Sequence, residues 1–206
     1  MDVLLATTNR HKIAEYKRLF AGSAITVVTC DDAGAQPPFV IEDGLTFAAN
    51  AAKKAHAFAS IAGMATLADD SGISVDVLAG APGVRSARFG APSLDDAGRM
   101  HFLLECLTGI PQGRRGAHYT CALALASENG VTQEVEGRLY GEIALEASRG
   151  TTGFGYDPVF IVPLFGITVA DVTPDQKDAI SHRGNAVRRL LSVLDPRHTG
   201  AGTLEL

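Results

Sequence analysis

The chain has no tryptophan and only three cysteines in 206 residues. Cys30, Cys106 and Cys121 are odd in number, far apart and never in a C-x-x-C pair. That pattern excludes a disulfide framework and a thiolate zinc site, and leaves buried reduced thiols as the reading. No apolar run approaches the ~18 residues of a membrane span. The N-terminal "MDVLLATTNRHK" lacks the basic n-region and long apolar stretch of a signal peptide. A cytoplasmic protein with no membrane partner is expected. Basic runs are missing as well: 18 Lys and Arg face 23 Asp and Glu, for a net charge of −5. Duplex and single-stranded phosphate backbones need clustered cations, so a nucleic-acid polymer is not the expected partner. A small anionic ligand needs only a few.

Familiar phosphate and hydrolase signatures are also absent. There is no Walker A pattern, no G-x-G-x-x-G after a strand, and no G-x-S-x-G elbow to support a triad of Ser71, His182 and an aspartate. His11, His56, His101, His118 and His198 show no metal-ligand spacing. What is present is 46% hydrophobic and 20% charged residues, enough for a sizeable core in one domain over 1–206, with a tail at 197–206 that is expected to fray.

Periodicity gives an α/β chain with a mixed sheet flanked by helices. Residues 3–6 read as a buried strand, followed by a polar turn and a helix with Ile13, Tyr16 and Phe20 on one face. A strand at 25–29, an Ala-rich helix over 43–63 closed by Gly63, and a strand over 64–69 follow. Ser93 and Asp96 resemble a capping box for the next helix. Residues 117–126 and 131–146 read as two or three strands joined through "SENG". A glycine-rich loop enters the strand "VFIV". A short helix lies at 175–180, and Ser181 caps a last helix with Val187, Leu190, Leu191 and Leu194 on one stripe.

Five stretches carry candidate chemistry. In "ATTNRHK" a strand gives way to a helix, whose first N–H groups and dipole suit an anion; Thr7, Thr8 and Asn9 add donors and Lys12 a charge. In "LADDSG", Asp69 and Asp70 are adjacent in a strand and point to opposite faces, so one braces while the other faces a cleft as a hard oxygen ligand. Asp-Ser-Gly also reads as a turn. Glu42 and Asp43 precede a helix, where acids favour the dipole, and Lys53 and Lys54 lie on that helix. "TTGFGYDP" sets Phe154 between glycines, where an aromatic ring can stack on a base. In "SHRG", His182 and Arg183 sit in a helix's first turn, where cations oppose the dipole unless an acceptor or anion is bound.

In this order the segments "ATTNRHK", "EDGLTFAANAAKKA", "LADDSGISVDVLAGAPGVRSARF", "GFGYDPVF" and "ISHRGNAVRRL" resemble the inosine triphosphate pyrophosphatase family from about residue 3 to 195. The resemblance implies an elongated two-lobed fold with a central cleft. It also implies a Mg²⁺-dependent homodimer that cleaves ITP, dITP and XTP to the monophosphate and pyrophosphate. Carried over by motif, Thr7, Thr8, Asn9, Arg10, His11 and Lys12 would bind the triphosphate. Glu42 and Asp70 would hold the metal, with Asp70 also the general base. Ser71 and Lys54 would contact phosphate or support the metal. Phe154, Gly155, Tyr156, Asp157, Lys177, His182 and Arg183 would surround the base.

The chain departs from the family in two places. It reads Ile41-Glu42-Asp43-Gly44 where Glu-Glu-Thr-Gly is usual, and Ala49 replaces a glutamate. Glu42 is therefore the expected second metal ligand and Asp43 the alternative. A related pyrophosphatase with another base preference, and a nucleotide-binding protein without turnover, remain as other readings.

Overall fold

The computed structural model describes residues 1–195; the expected fraying at 197–206 lies outside the described residues. In chain order the elements are β1 (Asp2–Leu5), α1 (Arg10–Leu19), β2 (Thr26–Val28), α2 (Phe47–Ala62), β3 (Thr66–Val75), α3 (Asp96–Cys106), β4 (Gly116–Ser127), β5 (Gly130–Ile143), β6 (Phe160–Val162), β7 (Ile167–Thr168), α4 (Pro174–Ile180) and α5 (His182–Leu194). The seven strands form one sheet in the order β2-β1-β3-β4-β5-β6-β7. The β2-β1 and β1-β3 pairs are parallel and the rest antiparallel, so the expected mixed sheet is what forms.

The sheet is buried on both faces. On one face α1 and α5 bring Tyr16, Phe20, Val187 and Leu190 against Leu67, Cys121 and Leu123. On the other, α2 lays Ala51, Ala55 and Ala59 on Ala68, Ala122 and Ala124. Small residues on both sides let that helix approach closely. A third cluster fills the far end of the long strands, with Ile73, Val75, Leu103, Leu107, Ile143 and Phe160.

The cleft begins where β1 stops. β1 pairs with β3 only at Leu4–Thr66 and Leu5–Leu67. It then turns through Thr7–Asn9 into α1, while β3 runs on, held by β4 from Thr66 to Val75. The β3 edge beyond Leu67 is thereby left beside the N-terminus of α1.

Three expectations are corrected. Asp69-Asp70-Ser71-Gly72 is neither a strand end nor a turn but the middle of a ten-residue strand, because β4 pairs with every residue of it. α2 begins at Phe47 under a Thr46 cap rather than at 43, so an irregular segment separates Glu42 and Asp43 from it. α3 is capped by Asp95, whose carboxylate accepts the Gly98 N–H at 2.8 Å, not by Ser93. The two or three strands expected over 117–126 and 131–146 are two, β4 and β5, with Gly137 inside β5. A Cβ there would lie 2.3 Å from the backbone of both His182 and Ala186, so the glycine is what lets α5 press its first turn onto β5. On the stripe of α5, Val187 and Leu190 are buried, while Leu194 at its end is exposed.

Candidate active site

The strand period sorts the two aspartates. Leu67, Asp69 and Ser71 share the face covered by α1 and α5; Ala68 and Asp70 share the face covered by α2. Asp69 is fully buried, and its Oδ2 lies 2.8 Å from Lys12 Nζ and 3.6 Å from Arg183 Nε. Ser71 Oγ donates to the same oxygen at 3.1 Å and accepts from Arg183 Nη2 at 2.8 Å. Burial alone would raise this carboxyl, but the attraction of Lys12, Arg183 and Lys54 outweighs it and holds Asp69 well below the usual carboxylate range. Asp69 therefore braces two cations rather than the turn that the sequence suggested.

Asp70 has different surroundings. Its Oδ1 accepts the Ser71 N–H at 3.0 Å and its Oδ2 accepts Asn50 Nδ2 at 2.9 Å. Burial raises its proton affinity, and the nearby charge of Glu42 adds to this against the Asn50 hydrogen bond and Lys54. Glu42 accepts from Lys54 Nζ at 3.0 Å, and its carbonyl accepts from Arg88 Nη2 at 2.8 Å. For Lys54 the burial penalty is outweighed by Asp69 and Glu42, so its ammonium is held more firmly than usual. Asp43 instead points outward and pairs with the surface residue Lys53.

A second network supports the other wall. Glu15 of α1 is buried and accepts from Lys177 Nζ and, at 3.2 Å, from Arg183 Nη1. Burial would raise Glu15, yet Arg183 and Lys177 leave it below its ordinary value. Lys177 also donates to Asp157 Oδ2 at 2.8 Å. The same oxygen accepts the Phe154 N–H at 2.8 Å, while Tyr119 Oη donates to Oδ1 at 3.1 Å. Tyr119 stacks on His182 with ring centroids 4.6 Å apart. Burial, reinforced by Arg183 and Lys177, lowers His182 well below the ordinary imidazole value, so the ring is neutral. The expected conflict of a cationic histidine with the dipole of α5 does not arise. Arg183 is matched by Glu15 and Asp69. Four buried atoms of the site, Asp69 Oδ1, His182 Nδ1, Arg183 Nε and Arg99 Nε, have no hydrogen-bond partner among the described residues.

Between these walls lies a cleft of about 280 Å³. Of the expected residues, Thr7 and Asn9 line it from the turn before α1 and Lys12 from α1, and Glu42, Lys54, Asp70 and Ser71 from the α2 side and β3. Phe154, Gly155, Tyr156, Asp157, His182 and Arg183 complete the lining that the sequence indicated. Thr8, Arg10, His11 and Lys177 do not line it. His11 stacks on Phe154 at 5.1 Å, and Lys177 is buried behind Asp157. The N-terminus of α1 is also less open than expected, since Asn9 Oδ1 takes the N–H groups of His11 and Lys12 at 2.9 and 3.3 Å.

Sequence reasoning missed Glu15 and Asn50, each of which holds a lining residue from behind, and Tyr119, Asp96 and Arg99 on the cleft wall.

Glu42 and Asp70 are oxygen donors on one wall of the cleft, and Asp70 is pre-oriented by two hydrogen bonds. That donor set fits a hard divalent cation that takes one or two carboxylates and completes its shell with water and phosphate oxygens. It does not fit a soft metal, and among the described residues no cluster of three or more His, Cys, Asp or Glu forms a self-sufficient cage. Among the same residues no helix is long and apolar enough to cross a membrane.

The fold is a mixed α/β sheet whose cleft sets cations and carboxylates beside an aromatic wall, the class of site that small polar ligands enter. The comparisons with known proteins narrow this. A sequence profile of the Ham1 family matches residues 3–193, and the chain belongs to that family. A dITP/XTP pyrophosphatase from Anaeromyxobacter sp. is 45% identical over 224 residues, covering 95% of this chain and 97% of the relative. The structure of a HAM1 protein from Coxiella burnetii superimposes with a TM-score of 0.84 at 38% identity, over 95% of this chain and 99% of that one. The crystal structure of a nucleoside-triphosphatase / dITP/XTP pyrophosphatase from Mycobacterium abscessus gives a TM-score of 0.72 at 41% identity, over 95% of this chain and all of that one.

Proposed function

We propose that the chain hydrolyses non-standard purine nucleoside triphosphates (ITP, dITP and XTP) to the monophosphate and pyrophosphate, with Mg²⁺ as the metal. The observation that carries this reading is the pairing of Asp70 and Glu42 on one wall of a cleft whose other walls supply Lys12, Lys54, Phe154, His182 and Arg183. Glu42 and Asp70 would hold Mg²⁺, whose charge would offset that of the phosphates and favour departure of pyrophosphate.

The chain's own residues do the rest. Lys12 and Lys54 face the triphosphate, with Thr7 and Asn9 as donors beside them. Asp70 takes the proton of the attacking water, a role worth roughly 10²–10⁴-fold in such enzymes. Ser71 ties the Asp70 strand to Arg183. Phe154 stacks on the base, and the neutral His182, with Arg183 beside it, offers a donor to the O6 edge. An adenine, with an amino group at that place, would leave the buried donor unpaired, a mismatch that costs up to about 10⁴-fold. Lys177 acts at one remove, by fixing Asp157 and Glu15.

The same reading has a cytoplasmic homodimer, each chain one domain of two lobes about the cleft. The separate apolar clusters on the two sides of Asp70 support the two lobes. The dimer follows the family resemblance, and sedimentation velocity tests it.

The activity test is hydrolysis of ITP, dITP, XTP, ATP, GTP and dUTP with and without Mg²⁺, resolving pyrophosphate from orthophosphate. Metal-dependent pyrophosphate release from the first three, with ATP and GTP spared, is expected. Orthophosphate release, preference for another base, or no turnover at all would overturn the reading.

A further inference from the structure

The two acids assigned to the metal stand on parts of the chain with unequal support. Asp70 belongs to β3 and is held in register opposite Ala122. Glu42 belongs to an irregular segment with no strand or helix to fix it. A shared cation needs its ligands held to within about half an ångström, so something outside the sheet must hold that segment.

One side chain touches both. Asn50 of α2 is 1% exposed, and both ends of its amide are used. Nδ2 donates to Asp70 Oδ2 at 2.9 Å, and Oδ1 accepts the Gly44 N–H at 2.7 Å, two residues after Glu42. Only an amide offers a donor and an acceptor on one planar head; a carboxylate would have nothing to donate to Asp70. Gly44 matches it, since a Cβ there would sit 2.6 Å from Asn50 Oδ1 and push the amide away. The other side of the segment is tied by Arg88 to the Glu42 carbonyl at 2.8 Å.

We propose that Asn50 is a positioning residue that sets the spacing of Glu42 and Asp70 through the Gly44 N–H, so that the metal affinity of the site depends on an amide that touches neither metal nor substrate. The proposal rests on the reading of Glu42 and Asp70 as the metal pair.

The experiment measures Mn²⁺ binding by electron paramagnetic resonance without nucleotide. Alongside it, the Mg²⁺ concentration for half-maximal ITP hydrolysis is measured, for wild type, Asn50→Asp, Gly44→Ala and Glu42→Gln. Asn50→Asp keeps the acceptor for Gly44 and removes the donor to Asp70. Gly44→Ala displaces the same amide from an irregular segment outside the core and carries the test if the first variant does not fold. Both are expected to weaken Mn²⁺ binding and raise the Mg²⁺ midpoint by about 10–100-fold, the usual effect of removing a group that orients a ligand. The KM for ITP at saturating Mg²⁺ should stay within about 3-fold of wild type, since no substrate contact is lost. Folded variants with wild-type Mn²⁺ affinity and midpoint, beside a weakened Glu42→Gln, would overturn the positioning role alone. An unchanged Glu42→Gln would overturn the metal assignment and the proposal with it.

Discussion

His182 is neutral and buried in the folded chain, and that state has a measurable consequence. In the unfolded chain a histidine takes up a proton near pH 6.5, whereas the folded ring, its affinity lowered by burial and by Arg183 and Lys177, does not. Between those two values the unfolded state binds one more proton. The stability contribution is therefore complete above about pH 6.5 and is lost as the pH falls below it. One proton corresponds to about 1.4 kcal/mol per pH unit, so going from pH 7.5 to 5.5 should cost about 1.4 kcal/mol through this group alone.

The comparison protein is His182→Phe, which keeps a flat ring on Tyr119 and cannot titrate. Urea unfolding followed by circular dichroism at the two pH values gives the stability loss of each protein. The other histidines are common to both and cancel. The depressed carboxylates Glu15 and Asp69 titrate at lower pH and stay outside the window. Wild type should lose about 1.4 kcal/mol more than the variant. Equal losses would show that His182 carries its proton in the folded chain, and would remove the neutral ring from the account of base recognition.

Asp69→Asn should destabilise the chain by about 3–5 kcal/mol, because Lys12 and Arg183 lose a buried counter-charge; thermal unfolding measures it. Asp70→Asn should keep its stability within about 1 kcal/mol and lower kcat by roughly 10²–10⁴-fold, with ITP turnover as the assay; an equal loss of stability in both variants would contradict the division between the two faces of β3. Gly137→Ala should cost about 1–3 kcal/mol, since its Cβ meets the backbone of α5, which cannot swing aside as a side chain would. The acid limb of unfolding should reflect Glu15 and Asp69: their stabilisation is present above about pH 4 and is lost as the pH falls, so Glu15→Gln should flatten the decline below pH 4 in a denaturation series.

Much of the site was legible because it is contiguous. The period of two in β3 separated Asp69 from Asp70, and Ser181 announced α5 by its cap, whose Oγ accepts the Gly184 N–H at 3.0 Å. The sheet class followed from apolar runs and their spacing. What misled was local chemistry overruled from a distance. Asp-Ser-Gly favours a turn in isolation, but ten consecutive pairings with β4 keep it extended. Gly137 gives no sign of its role until α5 is laid across it. Glu15 and Arg183 lie 168 positions apart, and no window along the chain joins them. Asn50 carries no signal of its own, being one polar residue among alanines, until Asp70 and Gly44 are seen on either side of it.

The cleft wall carries Lys12, Lys54, Arg99 and Arg183 against Glu42, Asp70, Asp96 and Asp157, so it is close to electrically balanced before any ligand arrives. Each lysine and arginine already has an acidic neighbour, Lys12 with Asp69, Lys54 with Glu42, Arg99 with Asp96 and Arg183 with Glu15. Such a cleft exerts little long-range pull on an anion, and association should depend weakly on ionic strength. A highly charged guest must bring its own compensating cation or draw these side chains away from their partners. Entry is thereby tilted toward nucleotides that arrive already neutralised, and against bare phosphate esters of the same charge.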